Sequence, residues 1–149
     1  MSLSAALKEF IGLLNSRGVE YVIVGAYSLA FHGRPRYTGD LDILIRPSRE
    51  NAVRIGTILR DFGFANTAFS EADFVEPNQM IQLGRAPNRI DLLTGISGVL
   101  TEEALETKVS TDLEGIPVFV LSKELLIQNK RAVGRPQDLA DLEQLESEK

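Results

Sequence analysis

The chain has 149 residues, the length of one domain, and its apolar content of 44% and charged content of 25% are ordinary for a globular protein. It has no cysteine, which excludes disulfides and thiolate zinc sites, and its net charge of −5 argues against extensive non-specific DNA binding. No segment has the roughly 18 consecutive apolar residues that span a bilayer, and the first residues do not resemble a signal peptide, so we expect a cytoplasmic protein with no membrane partner.

Hydrophobic periodicity and turn residues predict helices that alternate with short strands. In chain order these are a helix at 3–16, a strand at 20–25, a helix at 26–33, a strand at 40–45, a helix at 48–64, two strands of a hairpin at 78–83 and 89–94, a helix at 101–108, a strand at 116–122, and helices at 122–134 and 136–146. This order indicates an α+β or α/β fold with a mixed sheet flanked by helices. We expect one domain over residues 1–149, with a core at about 20–120 and a C-terminal helical part at about 122–147.

Two aspartates stand one residue apart in "GDLDILI", at the start of an apolar strand. Because side chains alternate between the two faces of a strand, Asp40 and Asp42 point to the same side of the sheet. Neighbouring carboxylates repel each other and raise each other's pKa unless a cation lies between them. Mg²⁺ is a suitable cation, since it binds a few carboxylates together with water and phosphate oxygens. The alternative is a pair of solvated acids at the beginning of a strand.

Two other stretches indicate a phosphate site and a third carboxylate. In "VGAYS", Gly25 ends a strand and begins a helix whose free N–H groups favour an anion, and Ser28 supplies a side-chain donor. Asp91 is the acid of "RIDLLT", an otherwise apolar strand, where a buried charge needs a partner or a metal ion. The alternatives are an ordinary strand-to-helix turn, and an Asp91 that lies at a sheet edge or beside Arg89. Three acids, a phosphate-binding turn and nearby arginines together describe two-metal phosphoryl chemistry.

The combination of "VIVGAYS", "GDLDILI" and "RIDLL" resembles the nucleotidyltransferase-fold superfamily, the polymerase-β-like group. Residues 24–45 and the tail "NKRAVGRPQDLADLEQL" are similar to a small bacterial branch that contains toxin–antitoxin and abortive-infection transferases. The resemblance covers about residues 20–145. It implies a nucleotidyltransferase-like mixed sheet flanked by helices, with C-terminal helices packed on it.

The resemblance also implies roles for individual residues. Asp40, Asp42 and Asp91 would be catalytic and would hold the metal, two Mg²⁺ ions or Mn²⁺ in their place, and Asp91 would help to deprotonate the attacking hydroxyl. Lys130 would reach the phosphates, and Asp138 would orient Lys130 or Arg135. The residues that would bind the nucleotide are Gly25, Ala26, Ser28, Arg36, Thr38, Lys130, Arg135 and Asp138. Ala26 departs from the Gly or Ser of the family pattern and supplies no hydroxyl.

These implications give one functional hypothesis and two rivals. The hypothesis is a Mg²⁺-dependent nucleotidyltransferase that transfers an NMP from an NTP to a hydroxyl group of a protein or RNA, in a toxin–antitoxin system. The first rival, favoured by Ala26 and the acidic surface, is a catalytically degenerate member that acts as a binding or regulatory module, for example an antitoxin with a toxin as its partner protein. The second rival is a structural protein with incidental acids.

Overall fold

The computed structural model describes residues 4–33, 40–62, 70–84 and 89–147. Within these ranges lie six helices and six strands, and a 3-10 helix at Glu71–Phe74. The helices are α1 (Ala5–Ser16), α2 (Gly25–Phe31), α3 (Arg49–Phe62), α4 (Thr101–Glu106), α5 (Lys123–Val133) and α6 (Pro136–Ser147). The strands are β1 (Tyr21–Val24), β2 (Asp40–Ile45), β3 (Met80–Leu83), β4 (Arg89–Leu93), β5 (Val109–Leu113) and β6 (Ile116–Val120). None of these described helices has the length and apolarity to cross a membrane.

The strands form one mixed sheet in the order β3-β4-β2-β1-β6-β5. β2 runs parallel to β4 and β1 runs parallel to β6, whereas the other neighbouring strands are antiparallel. The predicted α+β fold, a mixed sheet flanked by helices, is therefore confirmed. The predicted hairpin is present as the antiparallel pair β3–β4, and its turn at residues 85–88 lies outside the described residues.

The alternation of side chains along β2 separates two hydrophobic layers. Leu41 and Ile43 point to the first face of the sheet. There they belong to one buried cluster with Phe10 of α1, Ile55 of α3 and Phe74 of the 3-10 helix. The first layer of helices is thus built from α1 and α3.

The second layer covers the opposite face of the sheet. Leu44 belongs to a buried cluster with Leu29 of α2, Leu125 of α5 and Leu145 of α6. The C-terminal helices therefore pack on the sheet, as the resemblance implied. Because Asp42 lies two residues before Leu44 on the same strand, its side chain projects from this second face.

The bounds of α5 and α6 follow from capping residues that the sequence displays. The Ser122 hydroxyl accepts a hydrogen bond from the Leu125 N–H at 3.3 Å, which satisfies a free donor at the start of α5. Gly134 ends α5 in the left-handed conformation, with φ of 67°, which glycine adopts without steric cost. Pro136 then begins α6 at the position that proline favours.

Two elements of the structure are absent from the sequence-based prediction. β5 pairs with β6 through a two-residue turn at Glu114 and Gly115, whose φ values are 52° and 88°. β5 lies at the edge of the sheet and its side chains are alternately exposed, so it lacks the apolar run that marked the other strands. The 3-10 helix is the second such element, and it inserts the fully buried Phe74 under α3.

Candidate active site

Strand pairing brings the three predicted metal ligands to one face of the sheet. In the parallel ladder between β2 and β4, Asp42 stands directly opposite Asp91. Asp40 lies two residues before Asp42, so its side chain projects from the same face. The Asp91 side chain is 6% exposed and the Asp40 side chain is 41% exposed, so the acidic cluster extends from the interior to solvent.

The Asp42 carboxyl group is electrostatically the most perturbed member of this cluster. Its burial, its hydrogen bond with Asp91 and the negative charges of Asp91 and Asp40 raise its pKa from 3.8 to about 7, against a smaller opposing effect of Arg89. The protonated form of Asp42 is therefore favoured to a higher pH than that of a solvent-exposed aspartic acid. The pair is a place where a positive charge is strongly favoured.

Among the residues that the structure describes, Arg89 places a positive charge against the acidic cluster. Its guanidinium forms a two-point hydrogen bond with Asp91, from Nε to Oδ1 at 3.2 Å and from Nη2 to Oδ2 at 3.1 Å. The same Nε lies 3.9 Å from Oδ1 of Asp40. The guanidinium thus links the buried acid to the exposed one, and the sequence-based alternative of an Asp91 beside Arg89 describes a contact that the structure contains.

The turn between β1 and α2 lies against the Asp42 carboxylate. Val24 pairs with Asp42 in the β1–β2 ladder. Gly25 follows with φ of 69°, a backbone conformation that residues other than glycine rarely adopt. A Cβ atom at position 25 would collide with Oδ2 of Asp42. Ala26 is half-buried in the first turn of α2, while Ser28 is fully buried and its hydroxyl has no hydrogen-bond partner among the described residues. Main-chain atoms, more than the Ser28 side chain, border the acids here.

The predicted nucleotide-binding residues of the C-terminal part form an ion group where α5 meets α6. Lys130 Nζ lies 3.1 Å from Oδ1 of Asp138 and 3.2 Å from Oδ2 of Asp141, and all three residues are buried. Arg135 Nε donates to Oδ2 of Asp138 at 2.6 Å. The Arg135 hydrogen bond, assisted by Lys130, outweighs burial and lowers the pKa of Asp138 to about 2. The Lys130 amine is thus bound by two carboxylates of α6.

Two of the predicted nucleotide-binding residues, Arg36 and Thr38, lie outside the described residues. The sequence-based reasoning missed Asp141, although a position three residues after Asp138 on a helix shares its face. It also missed Gln82, which is exposed and stands opposite Asp91 in the β3–β4 ladder. No local signal identifies Gln82, because the register between two strands is needed to place it.

The donor set at the acidic cluster fits a hard divalent cation. Carboxylate oxygens are the ligands that Mg²⁺ prefers, and Asp42 and Asp91 face each other across neighbouring strands with a hydrogen bond between them. Within the described ranges, no three His, Cys, Asp or Glu side chains converge closely enough to hold a metal ion. In this structure the Arg89 guanidinium engages both oxygens of Asp91. The chemistry of the site therefore fits the ion, and a guanidinium is its present cation.

A family comparison decides the wider identity of the chain. The model of the family described as nucleotidyl transferase of unknown function (DUF2204) matches residues 3–148. The chain belongs to this family. The resemblance to the nucleotidyltransferase-fold superfamily is thereby confirmed. No curated protein matches the chain.

Solved structures of nucleotidyltransferases share the fold at low sequence identity. The candidate nucleotidyltransferase TM1012 from Thermotoga maritima is 21% identical, with a TM-score of 0.64 over 96% of this chain and 91% of that chain. The lincosamide antibiotic adenylyltransferase LnuA, in a lincomycin-bound structure, is 13% identical, with a TM-score of 0.61 over 98% of each chain. The antibiotic-resistance factor ANT(2'')-Ia is 12% identical, with a TM-score of 0.57 over 94% of this chain and 80% of that chain. At these identities the likeness establishes the fold alone.

Proposed function

We propose that this chain is a Mg²⁺-dependent nucleotidyltransferase that moves a nucleoside monophosphate from an NTP to a hydroxyl group of an acceptor. The single observation that carries the proposal is the cluster of Asp40, Asp42 and Asp91 on one face of the sheet, beside the Gly25 turn. Membership of a nucleotidyl transferase family supports transfer of a nucleotide in general. The metal, the acceptor and a place in a toxin–antitoxin system are the finer parts of this proposal.

The three acids would bind the metal ion, and one of them would also accept a proton. Asp42 and Asp91, with Asp40 at the exposed end of the cluster, would hold Mg²⁺. When bound, the ion supplies positive charge for the reacting phosphate oxygens. Asp91 would accept the proton of the attacking hydroxyl, whose oxygen forms a bond to the α-phosphorus while the bond from that phosphorus to the pyrophosphate oxygen breaks. Pyrophosphate leaves, and the acceptor carries the monophosphate.

Strand register supports a proposed direction of approach for each substrate. Val24, Asp42, Asp91 and Gln82 stand in one row across β1, β2, β4 and β3. The Gly25 turn, which suits a phosphate because it brings bare main chain to Asp42, follows Val24 at one end of this row. The exposed Gln82 amide lies at the other end. The acceptor hydroxyl would therefore approach over β3 and reach Asp91 from the side opposite the nucleotide.

Transfer of a labelled nucleotide is the direct test. The purified protein is incubated with each NTP labelled at the α-phosphate, with MgCl2 and with a cell lysate separated into protein, RNA and small molecules. We expect label on a protein or RNA. Label on a small molecule would identify an acceptor of the kind named in the lincomycin-bound LnuA structure. The variants Asp40→Asn and Asp42→Asn should abolish labelling, whereas Asp61→Asn should not, because Asp61 lies on α3 and pairs with Arg17. Full activity in either of the first two variants would remove that residue from the metal site.

Ala26 supports a second candidate function. It stands where the family pattern has Gly or Ser, in the turn that faces the acids, and a weakened triphosphate site would leave a regulatory, antitoxin-like module that binds without turnover. Calorimetric titration with ATP and GTP, with and without MgCl2, separates the two candidates. Metal-dependent binding with no labelled product on any fraction would favour the module. If CTP and UTP, titrated in the same way, also fail to bind and no NTP gives a labelled product, both candidates are excluded.

A further inference from the structure

We infer that Arg89 is the resident counter-cation of the acidic cluster, which neutralises Asp40 and Asp91 in the metal-free protein and gives way when a divalent cation binds. Arg89 would then be a positioning residue of the active site, acting through the carboxylates rather than on the substrate. The inference rests on the proposed function in one respect: it takes Mg²⁺ as the ion of that site.

The Arg89 guanidinium lies against both Asp91 and Asp40. Arg89 and Asp91 lie two residues apart on β4, so their side chains project from the same face and form a fork of two hydrogen bonds at 3.2 and 3.1 Å. Asp40 stands opposite Arg89 in the β2–β4 ladder, with its Oδ1 at 3.9 Å from the Arg89 Nε. One guanidinium thus contacts the acids at both ends of the cluster.

The acidic cluster concentrates negative charge next to Arg89. Within the described part of the chain, Arg89 is the cationic side chain that contacts these carboxylates, and Asp91 is nearly buried, so its charge requires a compensating partner close by. Arg89 provides that partner through both oxygens of Asp91. A divalent ion placed on Asp91 and Asp42 would lie within a few ångströms of the guanidinium and repel it. Arginine and metal ion are therefore competitors for the same carboxylates.

The Arg89 side chain is more exposed to solvent than the Asp91 side chain. Its side chain is 32% exposed, whereas that of Asp91 is 6% exposed. The guanidinium can turn into solvent while the Arg89 main chain stays in β4, but Asp91 cannot follow it. Exchange of the cations thus leaves the carboxylates in place.

The test measures metal binding without requiring transfer activity. Wild type, Arg89→Gln, Arg89→Lys and Arg17→Gln are unfolded thermally near pH 8 in EDTA and then in a MgCl2 series. Arg17 is the matched control, because its side chain is 30% exposed and pairs with Asp61 at 2.6 Å, away from the acids. We expect Arg89→Gln to unfold at a lower temperature than wild type in EDTA and to bind Mg²⁺ more tightly, on the order of tenfold. Arg89→Lys keeps the charge and should bind Mg²⁺ as wild type does, and Arg17→Gln should lose stability equally with and without Mg²⁺.

Each outcome bears on the inference. If Arg89→Gln is unfolded in EDTA, recovery of its helical circular dichroism in MgCl2 supports the inference, and failure to recover overturns it. A Mg²⁺ affinity of Arg89→Gln equal to or weaker than that of wild type also overturns it, even when wild type transfers label, in which case the proposed function stands alone. Tighter Mg²⁺ binding by Arg89→Gln in a protein that labels no acceptor would retain the role of Arg89 and reject the transferase.

Discussion

The Asp42 carboxyl group occupies a position that requires a proton or a cation. It is half-buried, faces Asp91 across two strands and lies beside Gly25, which has no side chain. Its pKa is raised from 3.8 to about 7. Between these two pH values, the folded protein therefore holds a proton on Asp42 that the unfolded chain has released. This residue therefore couples folding, pH and the proposed metal ion.

Replacement of Asp42 by Asn tests that coupling. Between pH 3.8 and about 7 the folded state binds more protons at Asp42 than the unfolded state, so the free energy of unfolding falls as pH rises through this window. Asn does not titrate, and its amide can donate to Asp91 as the protonated acid does. In EDTA we expect Asp42→Asn to exceed wild type by on the order of 2 kcal/mol near pH 8 and to match it near pH 4. Urea unfolding across this range measures the difference, and parallel pH profiles of the two proteins would contradict it.

Replacement of Gly25 by Ala tests the close approach of main chain and carboxylate. The chain offers a matched control in Gly18, which has φ of 68° and, apart from its chain neighbours, no atom of the described residues within 4 Å of an added Cβ. Gly18→Ala should cost about 1 kcal/mol for the left-handed conformation alone. Gly25→Ala should cost about 1–3 kcal/mol more because its methyl group displaces the Asp42 carboxylate, and it should weaken ATP binding. Equal losses of stability in the two variants would show that the turn accommodates a side chain.

Single residues also show what the sequence can predict of the site. The two-residue step between Asp40 and Asp42 fixes their common face, and an acid within an apolar strand identifies Asp91. The sequence does not contain the register that sets Asp42 opposite Asp91, because strands far apart in the chain choose their partners through tertiary packing. The two hydrogen bonds between Arg89 and Asp91 depend on side-chain rotamers. The sequence therefore suggested an Asp91 beside Arg89 only as one of the alternatives.

At the scale of elements, local capping signals were the most informative. The predicted starts of the last two helices, at 122 and 136, coincide with Ser122 and Pro136, because the serine hydroxyl satisfies a backbone donor that a helix start leaves free and proline has no such donor. The turn at Glu114 and Gly115 is a similar local signal for the β5–β6 hairpin, since a two-residue turn with positive φ favours glycine, although the sequence-based prediction has no strand at β5. β5 escaped prediction because an edge strand with alternate exposed polar residues lacks a hydrophobic run.

The α5–α6 ion group yields a prediction at this scale. Lys130→Met leaves the buried Asp141 without its contact to the Lys130 amine and leaves Asp138 with Arg135 alone, so we expect a loss of about 3 kcal/mol. The control is Arg131→Gln on the same helix, whose exposed ion pair with Glu146 should contribute less than about 1 kcal/mol. Urea unfolding measures both variants. Reduced ATP affinity of Lys130→Met at unchanged stability would instead assign the lysine to the phosphates.

At the scale of the whole molecule, strand order assembles the candidate site. β2 lies between β4 and β1, so the acids of β2 meet Asp91 on one side and the Gly25 turn on the other. These residues are far apart in the chain, and the order β3-β4-β2-β1-β6-β5 contains two parallel pairs whose strands are not consecutive. Hydrophobic periodicity predicts that a mixed sheet forms, but it does not order the strands. The family resemblance supplied the expectation that these acids meet.

The response of the whole protein to cations separates specific binding from general screening. The chain has a net charge of −5, so any salt reduces its self-repulsion, but only an ion held by the acidic cluster should act at millimolar concentration. Near pH 8 we expect millimolar MgCl2 to raise the unfolding temperature by about 3 °C, whereas NaCl of equal ionic strength has little effect. Because protonation of Asp42 below about pH 7 competes with the ion, the MgCl2 effect should fade near pH 5. Asp42→Asn should lack it at every pH, and a shift of equal size in NaCl would assign the stabilisation to screening of the whole surface.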